Sequence, residues 1–208
     1  KKRPWQNFEA LMKVKFCGLT GPEDISVANE LKPDYVGFVF AGKKRRVTDE
    51  QAAALRSLLC HHIPAVGVFA AEPVEHILQL VISGTIQVVQ LHGREDKTYI
   101  KKLRTQCDVP LIKAFSVADA ADIEAAEQSD ADLILLDNGA GGTGRVFPWH
   151  LLRLIKRPYI LAGGLNLCNV KKAMAYAPYA LDVSSGIESN GRKDAAKMRE
   201  FMRLVRSQ

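Results

Sequence analysis

The feature that most restricts the fold of this chain is a regular alternation of short apolar runs with capped, mixed-polarity segments. It repeats eight times at a spacing of about 25 residues. Apolar runs predict strands at 14–17, 35–40, 65–69, 86–91, 111–115, 133–136, 159–162 and 180–183. Helices are predicted over 22–31, from Thr48 onward, and over 73–82, 96–105, 118–126, 148–155, 167–175 and 194–205. Local chemistry marks two of the starts. Pro22 with Glu23 and Asp24 suits a first helical turn, and Thr48 with Gln51 has the spacing of a capping box. The strands are nearly continuous apolar runs, as expected where both faces are covered. Strict β–α alternation predicts a parallel sheet, and eight units predict a single-domain α/β fold, the closed (β/α)8 TIM barrel. A doubly wound open sheet is the alternative. Eight units suit it less well, and the dinucleotide fingerprint is missing.

Bulk properties narrow the function classes. With 208 residues, 47% hydrophobic and 25% charged, the chain has the length and balance of one globular domain. No apolar run approaches the ~20 residues that span a bilayer, so no membrane partner is expected and a cytoplasmic location is. Residues 1–11 are basic and aromatic, and Met12-Lys13 resembles a natural start. The segment is read as an expression remnant or the tail of a fused upstream domain, with the barrel over 12–208. The formal charge is +6, concentrated at Lys43-Lys44-Arg45-Arg46. No stacking aromatics flank that run and no nucleic-acid-binding pattern accompanies it, so nucleic acid is not the expected partner. A small, multiply anionic substrate drawn to a basic mouth fits better. The cysteines, Cys17, Cys60, Cys107 and Cys168, match no zinc spacing and are expected as free thiols.

A barrel carries its site at the C-terminal strand ends. That rule selects Cys17, the 42–46 loop, Gln90, His92, Asp137, Gly163 and Gly164, and Asp182 with Ser184, Ser185 and Gly186. The loops after strands 7 and 8 are where such barrels hold phosphate, with glycines admitting close backbone N–H approach and a helix N-terminus adding its dipole. Asn166 is a competing structural candidate there, as a cap before Leu167. The stretch Gly139-Ala140-Gly141-Gly142-Thr143-Gly144-Arg145 reads as a lid or as a merely permissive loop. Asp137 ends an apolar strand, where burial favours the protonated form of a carboxyl and suits it to general acid work; loop capping is its alternative. Cys17 as a thiolate could act as base or nucleophile. It lacks the histidine and Asn/Asp companions of a cysteine hydrolase, which favours base, while a lone strand-end cysteine is often packing. Arg45, among four neighbouring cations, has the fork geometry for a carboxylate or phosphate. His92 either binds a ligand or closes its strand.

Six segments together carry a family resemblance. They are Lys15-Phe16-Cys17-Gly18-Leu19-Thr20, Gly37-Phe38-Val39-Phe40, Val89-Gln90-Leu91-His92-Gly93, Leu136-Asp137 through Gly142-Thr143-Gly144, Leu161-Ala162-Gly163-Gly164-Leu165, and Asp182-Val183-Ser184-Ser185-Gly186-Ile187-Glu188. From Met12 onward the chain resembles the phosphoribosylanthranilate isomerase family of tryptophan biosynthesis. The resemblance implies an Amadori rearrangement of N-(5-phosphoribosyl)anthranilate, with Cys17 as general base and Asp137 as general acid. It also implies substrate contacts from Arg45, Gln90, His92 and Asp182, and a phosphate held by Gly142, Thr143, Gly144, Gly163, Gly164, Ser184, Ser185 and Gly186. No metal and no organic cofactor is implied. Fusion to, or a neighbouring, indole-3-glycerol-phosphate synthase and a monomeric or homodimeric state are compatible with it. The 43–47 loop departs from the usual family pattern, leaving Arg45 or Arg46 as the substrate arginine, and Asn138 replaces a more usual serine. A related phosphosugar isomerase or epimerase, or a non-catalytic phosphosugar-binding barrel, are the alternatives.

Overall fold

The computed structural model describes residues 12–138 and 147–207. The 1–11 segment, and the 139–146 stretch that includes Gly142, Thr143 and Gly144, lie outside the described residues. Eight strands follow in order: β1 (Lys13–Cys17), β2 (Tyr35–Val39), β3 (Ala65–Phe69), β4 (Val88–Leu91), β5 (Leu111–Ser116), β6 (Leu133–Asp137), β7 (Tyr159–Leu161) and β8 (Ala180–Val183). Sequence neighbours are sheet neighbours all the way round, and the strands close as a barrel. The expected parallel barrel is therefore the fold, and the open-sheet alternative falls. The described helices are α1 (Pro22–Leu31), α2 (Asp49–Leu58), α3 (Val74–Ile82), α4 (Lys97–Arg104), α5 (Ala120–Glu127), α6 (Val170–Met174) and α7 (Ala195–Arg206).

The chain divides into two compact units, one of Phe16–Ala114 with Ser129–Leu133, the other of Phe115–Gln128 with the described parts of Lys1–Lys15 and Ile134–Gln208. In the first unit β3 is buried at every position, and Gly67 shows how tightly. A Cβ there would fall 2.6 Å from the Phe69 ring and 2.8 Å from Ile86 Cδ1. The α2 start is the reciprocal cap read from the sequence: Gln51 N–H donates to Thr48 Oγ1 at 3.2 Å, and Thr48 N–H donates to Gln51 Oε1 at 2.9 Å. Phe40 and Phe69 stack at 5.0 Å, with the His76 ring edge-on to both.

His76 also clasps α3 to the start of α2. Its Nδ1 lies 2.8 Å from Glu72 Oε1 and its Nε2 2.9 Å from Asp49 Oδ2. Two carboxylate acceptors require two N–H donors, so both contacts are hydrogen bonds only in the imidazolium form. Burial pulls the His76 pKa down, but the Glu72 and Asp49 carboxylates outweigh it and the net shift is upward. A raised folded-state pKa makes this clasp fully stabilising below about 6.5, the unfolded value, and progressively less so as pH rises through the folded value. Urea unfolding from pH 6 to 9 is expected to show a decline over that window, and His76→Gln is expected to flatten it. An equal decline in the variant would remove His76 as the cause.

The second unit departs from the sequence expectation in three places. Residues 148–155 form not an α-helix but a 3-10 helix, Trp149–Leu154, with Leu151 N–H donating to the Pro148 carbonyl at 3.0 Å. Its buried residues, Trp149 and Leu152, are three apart, the period that a three-residue turn presents to a core. The helix expected over 167–175 contracts to α6. Asn166 does make the bonds of a cap, its Oδ1 accepting from Cys168 N–H at 2.9 Å and its carbonyl from Val170 N–H at 3.0 Å, but residues 167–169 remain a turn, with Asn169 Oδ1 accepting from Asn166 N–H at 2.9 Å. Asparagines offer the backbone such local alternatives to a helix. The third departure follows β8: an antiparallel hairpin of β9 (Glu188–Ser189) and β10 (Arg192–Lys193). Asn190 and Gly191 both have positive φ, 52° and 77°, the turn that Asn-Gly favours in a two-residue hairpin.

Candidate active site

In the second unit, β6 ends on Asp137, which is 6% exposed. The strand end is held where the Asp137 carbonyl accepts from Val117 N–H at 2.8 Å and the Leu136 carbonyl from Ala162 N–H at 2.9 Å. Beside it the chain leaving β7 must come very close. A Cβ on Gly163 would lie 2.8 Å from Asn138 N and 3.2 Å from Asp137 Cα, and the backbone there has φ 79°. Only glycine combines that φ with that approach. Gly164, also at positive φ, is tied down by its carbonyl, which accepts from Asn166 Nδ2 at 3.1 Å and Asn169 Nδ2 at 2.9 Å.

The loops after β7 and β8 meet at a bridge between Asn166 and Gly186. A Cβ on Gly186 would fall 1.8 Å from the Leu165 carbonyl oxygen, which no side chain can tolerate. The sequence-predicted Gly163, Gly164, Ser184, Ser185 and Gly186 are therefore brought together. The helix-dipole part of the expectation is not met: α6 has five residues, and β8 leads into the hairpin rather than an extra helix. What the loops present is backbone. Gly186→Ala is expected to force the two loops apart, lowering stability by ~2 kcal/mol or more in urea unfolding. A wild-type midpoint would contradict this contact.

The hairpin supports the same loop. Lys193 Nζ donates to the Ser184 carbonyl at 3.0 Å, to Ser184 Oγ at 3.3 Å and to Glu188 Oε1 at 2.6 Å, with both charged side chains almost fully buried. A second buried cation lies on β1. Lys15 is wholly buried, and its Nζ donates to Asp182 Oδ2 on β8 at 2.9 Å. Removing one member of such a pair costs about 3–5 kcal/mol, because it strands the other charge. The second carboxylate oxygen, Asp182 Oδ1, is buried with no hydrogen-bond partner among the described residues.

In the first unit, Cys17 ends β1 at 8% exposure, and the chain turns at once: Gly18 has φ 76° and its N–H donates to the Gly37 carbonyl at 2.8 Å. Gln90 is buried in β4. Its Nε2 donates to Nδ1 of the exposed His92 at 3.0 Å, while its Oε1 has no partner among the described residues. Arg45 is half-buried with φ 60°, whereas Arg46 is exposed and bridges to Val39 through its backbone. Arg46 lines an outer pocket with Asp49, Glu50, Glu72 and His76. A further network ties together the chain leaving β3, β4 and β5. Lys113 Nζ donates to the Gly93 carbonyl at 2.7 Å and Glu95 Oε2 at 3.1 Å, and Glu95 accepts from Ala71 N–H and Gly93 N–H. Burial alone would push the Glu95 carboxyl up, but those backbone donors and the Lys113 ammonium hold it below its ordinary value.

Sequence reasoning passed over Lys15, Lys113 and the pairing of Lys193 with Glu188. A signal existed: a lysine inside an otherwise apolar strand is almost never buried without a partner. Among the described residues no group of three or more His, Cys, Asp and Glu could hold a metal ion. No described helix is long and apolar enough to cross a membrane.

A closed parallel barrel with an acid and a thiol at strand ends, and two interlocked glycine loops after β7 and β8, defines a class, that of the (β/α)8-barrel enzymes. The family described as PRAI, N-(5'phosphoribosyl)anthranilate (PRA) isomerase, matches residues 14–203. The chain belongs to that family. It is 45% identical over 203 residues to an N-(5'-phosphoribosyl)anthranilate isomerase of Thermoanaerobacter sp. strain X514, covering 94% of this chain and 98% of the relative. Among solved structures, the phosphoribosyl anthranilate isomerase of Thermus thermophilus is similar with TM-score 0.85 at 37% identity, over 95% of this chain and all of that one. A phosphoribosyl anthranilate isomerase in complex with reduced 1-(o-carboxyphenylamino)-1-deoxyribulose 5-phosphate is similar with TM-score 0.84 at 34% identity, over the same shares.

Proposed function

We propose that this chain isomerises N-(5'-phosphoribosyl)anthranilate to 1-(2-carboxyphenylamino)-1-deoxyribulose 5-phosphate, a step of tryptophan biosynthesis. The observation that carries the reading is family membership over nearly the whole described chain, with Cys17 and Asp137 kept at their strand ends. The product analogue held by a solved relative supports the substrate class.

The chemistry assigns roles. Asp137 donates a proton to the furanose ring oxygen, the C1′–O bond breaks, and the anilino nitrogen forms a Schiff base. Cys17, as thiolate, removes the proton on C2′, and the electron pair flows toward that nitrogen to give an enolamine. Transfer of the enol proton to C1′ yields the ketone. Carbon 2′ is oxidised and carbon 1′ reduced within one molecule, so electrons balance without an external acceptor. Gly163, Gly164, Ser184, Ser185 and Gly186, with Gly142, Thr143 and Gly144 outside the described residues, hold the phosphate. Gln90, His92 and Asp182 contact the sugar side. Arg45 rather than Arg46 takes the anthranilate carboxylate, since Arg46 already lines an acidic outer pocket. The free state of all four cysteines supports a cytoplasmic setting. The protein works as a monomer or homodimer, alone or beside an indole-3-glycerol-phosphate synthase.

Following the fluorescence of freshly formed phosphoribosylanthranilate with the purified chain tests the activity. Catalysed decay is expected. Decay at only the spontaneous rate would favour a non-catalytic phosphosugar-binding barrel instead.

A further inference from the structure

We infer that Lys15 is a positioning residue that holds Asp182 by Oδ2, reserving Asp182 Oδ1 as the acceptor for a substrate hydroxyl. The inference rests on the isomerase reading for the identity of the substrate, but the geometry that prompts it is independent of that reading. Lys15 is entirely removed from water and Asp182 is 8% exposed. An ion pair in such a place is seldom retained for stability, because an apolar pair of similar volume does as well or better. The pair is also half finished. Lys15 holds Oδ2 at 2.9 Å, while Oδ1 is buried and has no partner among the described residues. Buried polar atoms are nearly always satisfied, so an acceptor left open among the described residues beside a fixed charge marks a place for a further donor.

The ammonium fixes which oxygen is left open. With Lys15 Nζ against Oδ2, Oδ1 is the oxygen that remains to accept a sugar hydroxyl. Both side chains rise from strands, whose backbones are held by sheet hydrogen bonds. The titratable groups on β1, β8 and the strands beside them are Lys13, Lys15, Cys17, Asp182, Tyr159 and Tyr35. Lys13 stands over the Tyr179 ring at the start of β1, and the Tyr159 hydroxyl is committed to the Tyr176 carbonyl at 2.8 Å.

The test measures binding of reduced 1-(o-carboxyphenylamino)-1-deoxyribulose 5-phosphate to wild type, Lys15→Met, Asp182→Asn and the double variant. Lys15→Met is expected to bind at least ~10-fold more weakly than wild type. Binding within ~2-fold of wild type would overturn the inference. Should Lys15→Met fail to fold, the double variant, in which no buried charge is stranded, carries the test. If Lys15 acts through Asp182, the double variant binds within ~3-fold of Asp182→Asn alone. A further loss beyond that would assign Lys15 its own contact and overturn the inference. Wild-type turnover of phosphoribosylanthranilate, measured in parallel, separates a failure of the isomerase reading from a failure of this one.

Discussion

Cys17→Ala is expected to lower kcat by at least ~10²-fold while leaving the fold and the binding of the product analogue intact. The proton on C2′ is weakly acidic even with a Schiff base beside it, and no solvent base can reach it as well as a positioned thiolate. The fold should survive because the turn after β1 is built from backbone. Gly18 N–H and Leu19 N–H both donate to the Gly37 carbonyl, at 2.8 and 3.2 Å, and neither bond uses the thiol. Cys17→Ser adds a control, since a hydroxyl of similar shape is far too weakly acidic to replace the thiolate and should be nearly as slow. Steady-state fluorescence gives the rate, and circular dichroism with analogue binding checks the rest. A kcat within tenfold of wild type would remove Cys17 from the role of base.

Asp137→Asn should be comparably damaging, again by ~10²-fold or more, for a different reason. The amide keeps the size and much of the hydrogen-bonding shape of the side chain but has no proton to give the ring oxygen. Asp137 is well suited to isolate this effect. Its carbonyl is fixed by Val117 N–H, and Gly163 passes close against its Cα and Cβ, so the substitution has no room to shift the backbone. The two losses should not multiply. Until the acid opens the ring there is no Schiff base to acidify C2′, so the double variant should be little slower than the worse single one. Fully multiplicative losses would mean that both groups lower one and the same barrier, and the assignment to two separate steps would fall.

Much of this architecture was legible in the chain itself. Strands β3 and β8 come out with the expected bounds because their apolar runs are sharply bracketed by turn residues. The Thr48–Gln51 cap needed only residues three apart. The Trp149–Leu154 segment reads as an α-helix in the sequence because four apolar residues in six do not distinguish a period of 3.6 from one of 3.0. The hairpin after β8 had its signal in Asn190-Gly191, but strands of two residues carry no alternation to set beside it.

The site divides along the same line. Cys17, Asp137 and the glycine loops could be proposed from the sequence because a barrel carries its site at the C-terminal strand ends, whatever the details of packing. The partner of Lys15 could not. Asp182 lies 167 residues away in the chain, and a lysine in the run Val14-Lys15-Phe16 signals a buried partner without saying which. The same holds for Lys113 with Glu95 and for the demand that position 186 be glycine, which comes from a carbonyl oxygen on another loop. By itself the sequence determined the alternation of elements, several of their caps and the place of Cys17 and Asp137 at strand ends, because those depend on neighbours within a turn or two. Only the tertiary structure decided which buried charges pair and how close two loops run, because burial and proximity exist only once the barrel has closed.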